Sequence, residues 1–341
     1  DRLNLAHLLC GSEGTLAVTL GATVRLHQIP KARGLAVVAF PTLDAAIDAV
    51  LPILETHPTA VELLDDMVVG LARANAEYRR YVELLPTPAG EITRAVLYVE
   101  YASDVGSDQL QDRFERLCAM FGTARVQAHT RAEAMSQAWK LRKAGEPLLH
   151  GVPGDRKPHT FVEDNAVPPE RLAEFVRRFR AIVHRHGTTA AFYAHASVGV
   201  LHVRPLVNIA DEHDRAVMRS IAIEVADLAR ELGGVMSGEH GDGRVRTPLL
   251  ERFYGPELMR AFAEIKRAFD PANLLNPGNI VSLGAPPRAI ESITESLRVK
   301  PSERDVLFPN VDTYFDYEDQ HGFRGAVEMC NGSGVCRKKQ G

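Results

Sequence analysis

The chain has 341 residues, 45% of them hydrophobic and 25% charged, ordinary values for a soluble protein with room for two domains. A net charge of −4 argues against nucleic-acid binding through bulk electrostatics. No apolar run approaches the ~18 residues that a membrane span needs. Four cysteines, Cys10, Cys118, Cys330 and Cys336, are too few for a disulfide framework and suit a reducing, cytoplasmic compartment. Asp1 is not a methionine and the first residues read as the inside of a domain, so a piece of a longer polypeptide is expected.

In chain order, residues 5–28 read as a turn followed by a strand. "LAVVAF" is a short apolar strand, and Thr42 can cap a helix carrying Leu43, Ile47, Val50, Leu51 and Leu54 on one face. "AVELLD" and "RAVLYVEY" are further strands, the second followed by a helix through "LQDRFERLCAMF". "HTFVEDNAVP" reads as a strand ending at Pro168-Pro169, where proline suits a first helical turn. The helix after it carries Leu172, Phe175, Val176, Phe179, Ile182 and Val183 on one face. "TTAAFYAHASVGVLHVRPLVN" is strand-like on both sides of a small-residue centre. Two more helices follow, one with Met218, Ile221, Val225, Leu228 and Leu232, the other with Leu258, Phe262, Ile265 and Phe269, ending before Pro271. Strands interleaved with one-sided helices predict an α+β layer fold, an antiparallel sheet covered by helices. From about residue 284 the texture becomes proline-punctuated and weakly periodic, as in a surface connector.

His195 and His202 stand seven residues apart, an odd separation that puts them on opposite faces of one straight strand. A reversal around residues 197–200, helped by Gly199, would bring them together across a hairpin. Neutral imidazoles are common metal ligands, and Glu239 can add a carboxylate oxygen. Two surface or core histidines in a hairpin is the competing reading. In "VMSGEHGDGRVRT", Glu239 and His240 are fenced by Gly238, Gly241 and Gly243, which permit sharp bends and close approach. An exposed glycine turn is the alternative there. "CGSEGT", residues 10–15, offers small residues whose N–H groups can meet a phosphate but lacks a P-loop lysine. Arg142 and Lys157 bracket an expected turn, and either can hold a substrate carboxylate or be solvated charge. Trp139 is expected to pack. "CNGSGVC", residues 330–336, fits no common zinc spacing and can be half of an iron–sulfur ligand set.

Taken in order, these motifs resemble the FAD-linked oxidases of the vanillyl-alcohol oxidase type, in the D-lactate and D-2-hydroxyglutarate dehydrogenase branch. "CGSEGTLAVTLGATVRLHQIP" is similar to the end of that family's flavin-binding domain. "FVEDNAVP", "HASVGVLHVRP", "SGEHGDG" and "FDPANLLNPGNIV" are similar to landmarks of its C-terminal, ferredoxin-like substrate domain. "EMCNGSGVCRK" resembles the start of a 4Fe-4S module in the large fused bacterial forms. The resemblance implies a flavin-domain edge over residues 1–30, a substrate domain over 31–283, a connector over 284–325 and a truncated iron–sulfur module over 326–341. It places metal ligands, with zinc the expected ion, on His195, His202 and Glu239. It puts the active-site and substrate-binding histidine on His240, and substrate-carboxylate groups on Arg142 and Lys157. FAD contacts fall on Cys10, Gly11, Ser12, Gly14, Thr15 and Asn276, and cluster ligands on Cys330 and Cys336. This chain departs from the common "GDGNLH" with "SVGVLH", and Glu146 stands where a hydroxyl residue is expected. The implied activity is oxidation of a D-2-hydroxy acid, with electrons passed to the iron–sulfur module and then to a quinone or electron-transfer protein. A homo-oligomer and a peripheral inner-membrane location are compatible with it. A metal-dependent hydrolase and a non-catalytic sheet module are the rival readings.

Overall fold

Eight antiparallel strands form one sheet in the computed structural model, which describes residues 4–297, 311–320, 322–328, 330 and 337. The strands are β1 (Ala32–Phe40), β2 (Ala60–Leu64), β3 (Ala95–Ser103), β4 (Val126–His129), β5 (Lys157–Pro158), β6 (Asn165–Ala166), β7 (Ala190–His195) and β8 (Val200–Val207). Their order is β4-β1-β3-β2-β7-β8-β5, with β6 also paired to β8.

The helices begin with α1 (Leu5–Leu9), α2 (Leu43–Asp48), α3 (Val50–Leu54), α4 (Asp66–Ala74), α5 (Arg79–Val82) and α6 (Asp108–Phe121). There follow α7 (Ala132–Lys143), α8 (Gly145–Leu149), α9 (Leu172–Arg185), α10 (Glu212–Glu231), α11 (Gly243–Arg246), α12 (Leu250–Phe269) and α13 (Gly322–Glu328).

Side chains alternate across the sheet, and each face has its own cover. Val38, Leu63, Val99, Phe192 and Val203 pack with residues of α2, α3, α6, α9 and α10. Val37, Leu64, Tyr98 and Tyr193 pack on the opposite face with residues of α4, α5, α7 and α8. Because β1 and β3 are buried on both faces, they read as nearly unbroken apolar runs. The α9 stripe is the one its sequence predicts: Leu172, Phe175, Val176, Phe179, Ile182 and Val183 are all buried. Each such side chain contributes roughly 1.5–3 kcal/mol relative to exposure. On the second face the apolar row gives way, towards β7 and β8, to Glu62, His195, His202 and Arg204. That change of texture marks the site.

Several elements differ from their sequence expectation. The helix expected after Thr42 is capped as predicted, with Thr42 Oγ1 accepting from Ala45 N at 3.1 Å, but it divides into α2 and α3 at Ala49. The strand expected through residues 159–168 survives only as β6, because Asp164 adopts φ 74° and bends the chain. The turn expected between Arg142 and Lys157 holds the end of α7 and all of α8. The strand expected within residues 16–28 has no ladder partner among the described residues. Its apolar side chains are largely exposed, Leu20 by 96% and Leu26 by 86%. Apolar alternation specifies a strand only where a neighbouring edge completes it.

Candidate functional site

β7 and β8 form the hairpin that the histidine spacing requires. In register, His195 faces Val200 and Tyr193 faces His202. Gly199 makes the reversal at φ 70°, and a Cβ there would lie 1.9 Å from the Val167 carbonyl oxygen. The rings of His195 and His202 meet at 5.0 Å between centroids, nearly perpendicular. His202 also stacks between Tyr193 at 5.0 Å and His240 at 5.1 Å.

The loop that brings Glu239 and His240 is tied down by Asp164, a residue without signal in the sequence beyond its place beside Glu163. The Asp164 carboxylate accepts from Ser237 Oγ at 2.6 Å, His240 N at 2.8 Å and Glu239 N at 3.0 Å. Burial would raise its pKa, but these donors together hold it below the ordinary value. Arg246 adds hydrogen bonds to the carbonyls of Glu163 and Gly241. Gly241 adopts φ 88°, and a Cβ there would lie 2.8 Å from the Glu13 carboxylate, which would have to shift.

Three imidazoles converge on one carboxylate oxygen. Glu239 Oε1 lies 3.3 Å from His195 Nε2, 3.4 Å from His202 Nε2 and 3.6 Å from His240 Nε2. Ligand-capable atoms of Asp164, His202, Glu239 and His240 all lie within 4.8 Å of one another. Two of the rings are oriented from behind. Glu62 accepts from His195 Nδ1 at 2.8 Å, and Glu163 Oε1 lies 3.2 Å from His240 Nδ1. A proton held on each Nδ1 leaves each Nε2 lone pair facing Glu239. His202 Nδ1 is buried and lacks a hydrogen-bond partner among the described residues.

The electrostatics separate the histidines. The hydrogen bond that His195 donates to Glu62 raises the His195 pKa. Burial, then the neighbouring His195 and His240, push His202 down to about 4, so it is neutral at ordinary pH. The side chains of Glu239 and His240 remain nearly half exposed, which leaves the cluster open on one side.

The residues expected to hold a substrate carboxylate are placed differently. Arg142 stands next to the cluster, but its guanidinium donates to Glu62 Oε2 at 2.7 Å, where both side chains are 13% exposed. Lys157 pairs with Val207, five residues beyond His202 along β8, roughly 17 Å away at strand spacing. Its Nζ donates to the Val152 carbonyl. The structure therefore does not bring Lys157 to the cluster, because β5 joins the sheet at the opposite end of β8. Arg204, two residues after His202, is the basic side chain that the register places on the same face. Trp139 packs as expected, stacked on Tyr98.

The glycine turn expected to meet FAD is docked on the same loop. Glu13 accepts from the N–H groups of Asp242 at 2.6 Å and Gly243 at 2.9 Å, and Asn276 Nδ2 donates to the Glu13 carbonyl. Cys10, Gly11, Ser12 and Thr15 line a cavity of about 290 Å³ together with Asp242, Tyr254 and Lys266. Gly11 and Gly14 adopt positive φ, and a Cβ at either meets nothing within 4 Å. Thr15 is buried and donates to the Ser12 carbonyl. Cys330 is exposed, and Cys336 lies outside the described residues.

Residues 29–280 match the family described as FAD linked oxidases, C-terminal domain. The chain is 32% identical to D-2-hydroxyglutarate dehydrogenase of Pantoea ananatis (strain AJ13355) over 98% of its own length and 32% of that protein. It is 32% identical to D-lactate dehydrogenase of Archaeoglobus fulgidus over 82% of its length and 58% of that protein. It thus spans about a third of the length of the D-2-hydroxyglutarate dehydrogenase it matches. Among solved structures, p-cresol methylhydroxylase with substrate bound shares the fold, at a TM-score of 0.51 and 17% identity, over 75% of this chain and 54% of that one.

Proposed function

The chain belongs to the FAD linked oxidases through their C-terminal domain, and on that premise we propose that it is the substrate half of an FAD-dependent dehydrogenase that oxidises a D-2-hydroxy acid to the 2-oxo acid. The observation that carries the reading is the convergence of three imidazole Nε2 atoms on Glu239 Oε1.

That donor set fits a divalent cation. Neutral imidazole nitrogens with one carboxylate oxygen suit zinc, with manganese or cobalt as alternatives, and the buried carboxylate of Asp164 adds negative charge behind them. His195, His202 and Glu239 would hold the ion. When bound, it supplies Lewis acidity to the substrate hydroxyl and carboxylate oxygens. FAD fits the exposed turn of residues 10–14 with Asn276 beside it, and when bound it supplies the two-electron acceptor.

The protein's own part is orientation and proton transfer. Glu163 fixes the His240 tautomer with Nδ1 protonated, so that Nε2 is free to take the substrate hydroxyl proton. The C–H hydrogen and its electron pair leave towards the flavin side, and a carbonyl forms. Cys330 and Cys336 would supply ligands to an iron–sulfur module, which would accept the electrons and pass them to a quinone or electron-transfer protein. Residues 1–30 belong to the edge of the flavin domain on this reading. The exposed alternation of Val18, Leu20, Val24 and Leu26 supports it, since such a segment suits pairing with a further sheet.

The test is an anaerobic screen of D- and L-2-hydroxy acids against the purified natural full-length protein, following flavin absorbance. A D-2-hydroxy acid should bleach the flavin while its L-enantiomer does not. Indifference to every 2-hydroxy acid would remove the assignment.

A further inference from the structure

Gly11, Glu13 and Gly14 all adopt positive φ, at 75°, 54° and 68°. Glycine takes that conformation at no steric cost, whereas a glutamate there needs a compensating contact. The compensation reaches the loop that carries His240. Glu13 Oε1 accepts from Asp242 N at 2.6 Å and Oε2 from Gly243 N at 2.9 Å, 229 and 230 residues away in sequence. Asn276 Nδ2 donates to the Glu13 carbonyl at 2.8 Å. With these bonds a run is complete: from Glu239 to Gly243, five consecutive N–H groups each donate to a side-chain oxygen. Asp164 takes the first two, Ser237 Oγ takes Gly241 N at 2.7 Å, and Glu13 takes the last two. Of these three acceptors only Glu13 comes from the amino-terminal turn.

From this arrangement we infer that Glu13 is a positioning residue, which clamps the far end of the loop and so fixes His240 relative to the turn at residues 10–15. The inference rests on the proposed hydroxy-acid oxidation and adds the contact that keeps its two sides in register. In that reaction the hydroxyl proton leaves to His240 Nε2 and the C–H hydrogen leaves towards the flavin side, both from one carbinol group. A misplacement of about 1 Å can then cost ~10²-fold in rate. The anchors divide the work. Asp164 holds the main chain of Glu239 and His240, so metal ligation does not depend on Glu13. Glu163 orients the His240 ring from behind. Neither holds Asp242 and Gly243, and the positive φ of Gly241 and Gly243, 88° and 56°, marks main chain that glycine leaves free to swing. Two charge-assisted hydrogen bonds to one carboxylate stop that swing. In Glu13→Gln one oxygen becomes an NH2 group facing an N–H donor, so one of the two bonds is lost.

Two measurements on the natural full-length holoprotein test this, the first without turnover. In residue-resolved hydrogen–deuterium exchange, Glu13→Gln should speed exchange at Asp242 and Gly243 by ~10–100-fold, the effect of losing a hydrogen bond to a charged group. Glu239 and His240 should keep their protection. In anaerobic stopped flow with D-2-hydroxyglutarate, the same variant should lower the saturating rate of flavin reduction by ~10–100-fold. The half-saturating concentration, bound metal and bound FAD should stay unchanged. Added to His240→Ala, Glu13→Gln should cause no further loss, since it acts through that ring. Should Glu13→Gln fail to fold, Glu13→Asp, which keeps the charge and shortens the reach by one methylene, should give the same pattern. Unchanged exchange, a wild-type saturating rate, a loss that only tracks missing FAD, or a full additional loss on top of His240→Ala would overturn the clamp. If exchange responds while no hydroxy acid bleaches the wild-type flavin, the clamp stands and the reaction assignment falls. Bleaching at equal rates in wild type and Glu13→Gln gives the reverse.

Discussion

Gly199 sits where the histidine hairpin turns, at φ 70°, with the Val167 carbonyl oxygen occupying the space of any Cβ. Gly199→Ala combines a backbone penalty with a clash against main chain, so it should destabilise the chain by about 3 kcal/mol or more. Urea unfolding of the two proteins reads this directly, and a difference under ~1 kcal/mol would show that the bend tolerates a side chain. His240→Ala should slow flavin reduction by about 10²–10⁴-fold, the usual effect of losing a positioned base, with much less effect on substrate binding. Stopped-flow measurement at the wild-type rate would take His240 out of the base role. Glu62→Gln should lower affinity for the divalent ion by ~10–100-fold, because Glu62 orients His195 and holds Arg142. Equilibrium dialysis decides it, and unchanged affinity would make Glu62 a partner of Arg142 alone. The histidines and Glu239 were legible because their residue types and glycine surroundings are chemically restrictive. Glu62, Glu163 and Asp164 were not, since each is a lone or paired acid whose site partners lie 40 or more residues away. One signal existed for Glu62: it is the single carboxylate within the apolar strand "AVELL".

Asp65 links two elements. It caps α4 by accepting from Val68 N at 2.9 Å and also accepts from Phe192 N of β7 at 2.6 Å. Burial outweighs these donors and raises its pKa from 3.8 to about 7. A carboxyl raised in the native state favours folding while protonated. Its contribution is complete below about pH 4 and is lost as pH climbs through 7. Wild-type stability should therefore fall across pH 4–7 by an amount that this group limits to ~4 kcal/mol, and Asp65→Asn should flatten the profile over that window. Chemical denaturation at a series of pH values checks it; parallel profiles would mean that Asp65 titrates normally. At this scale the sequence was informative where a stripe or a cap was self-contained, as in α9 and the Thr42 turn. It failed at residues 16–28 and 159–164. The first segment has strand-like alternation and no partner edge among the described residues, and the second is bent by hydrogen bonds that Asp164 makes with a distant loop.

The amino-terminal turn joins the rest of the molecule through a few polar ties. Lys266 donates to the Thr15 and Leu275 carbonyls and to Asp270, which it holds at a pKa of about 2. Glu13 completes the junction at the Glu239–His240 loop. These contacts set the turn expected to meet the flavin against the loop expected to meet the substrate, so one movement would disturb both. Among the described residues no helix is long and apolar enough to cross a membrane. On the reading that residues 1–30 are the edge of a flavin domain, purified residues 1–341 should lack flavin colour, because a nucleotide of this size needs many convergent contacts. Stoichiometric FAD in that preparation would contradict the assignment of residues 1–30. The central claim, that the Glu239 cluster holds a divalent ion used in hydroxy-acid oxidation, is tested most directly by metal depletion and return. The natural full-length protein is stripped with a chelator, mixed anaerobically with D-2-hydroxyglutarate, and titrated with zinc, manganese or cobalt while flavin absorbance is recorded. The account predicts that reduction disappears on stripping, returns with one ion per chain, and never returns in Glu239→Gln. Reduction by the stripped protein at the untreated rate would contradict it.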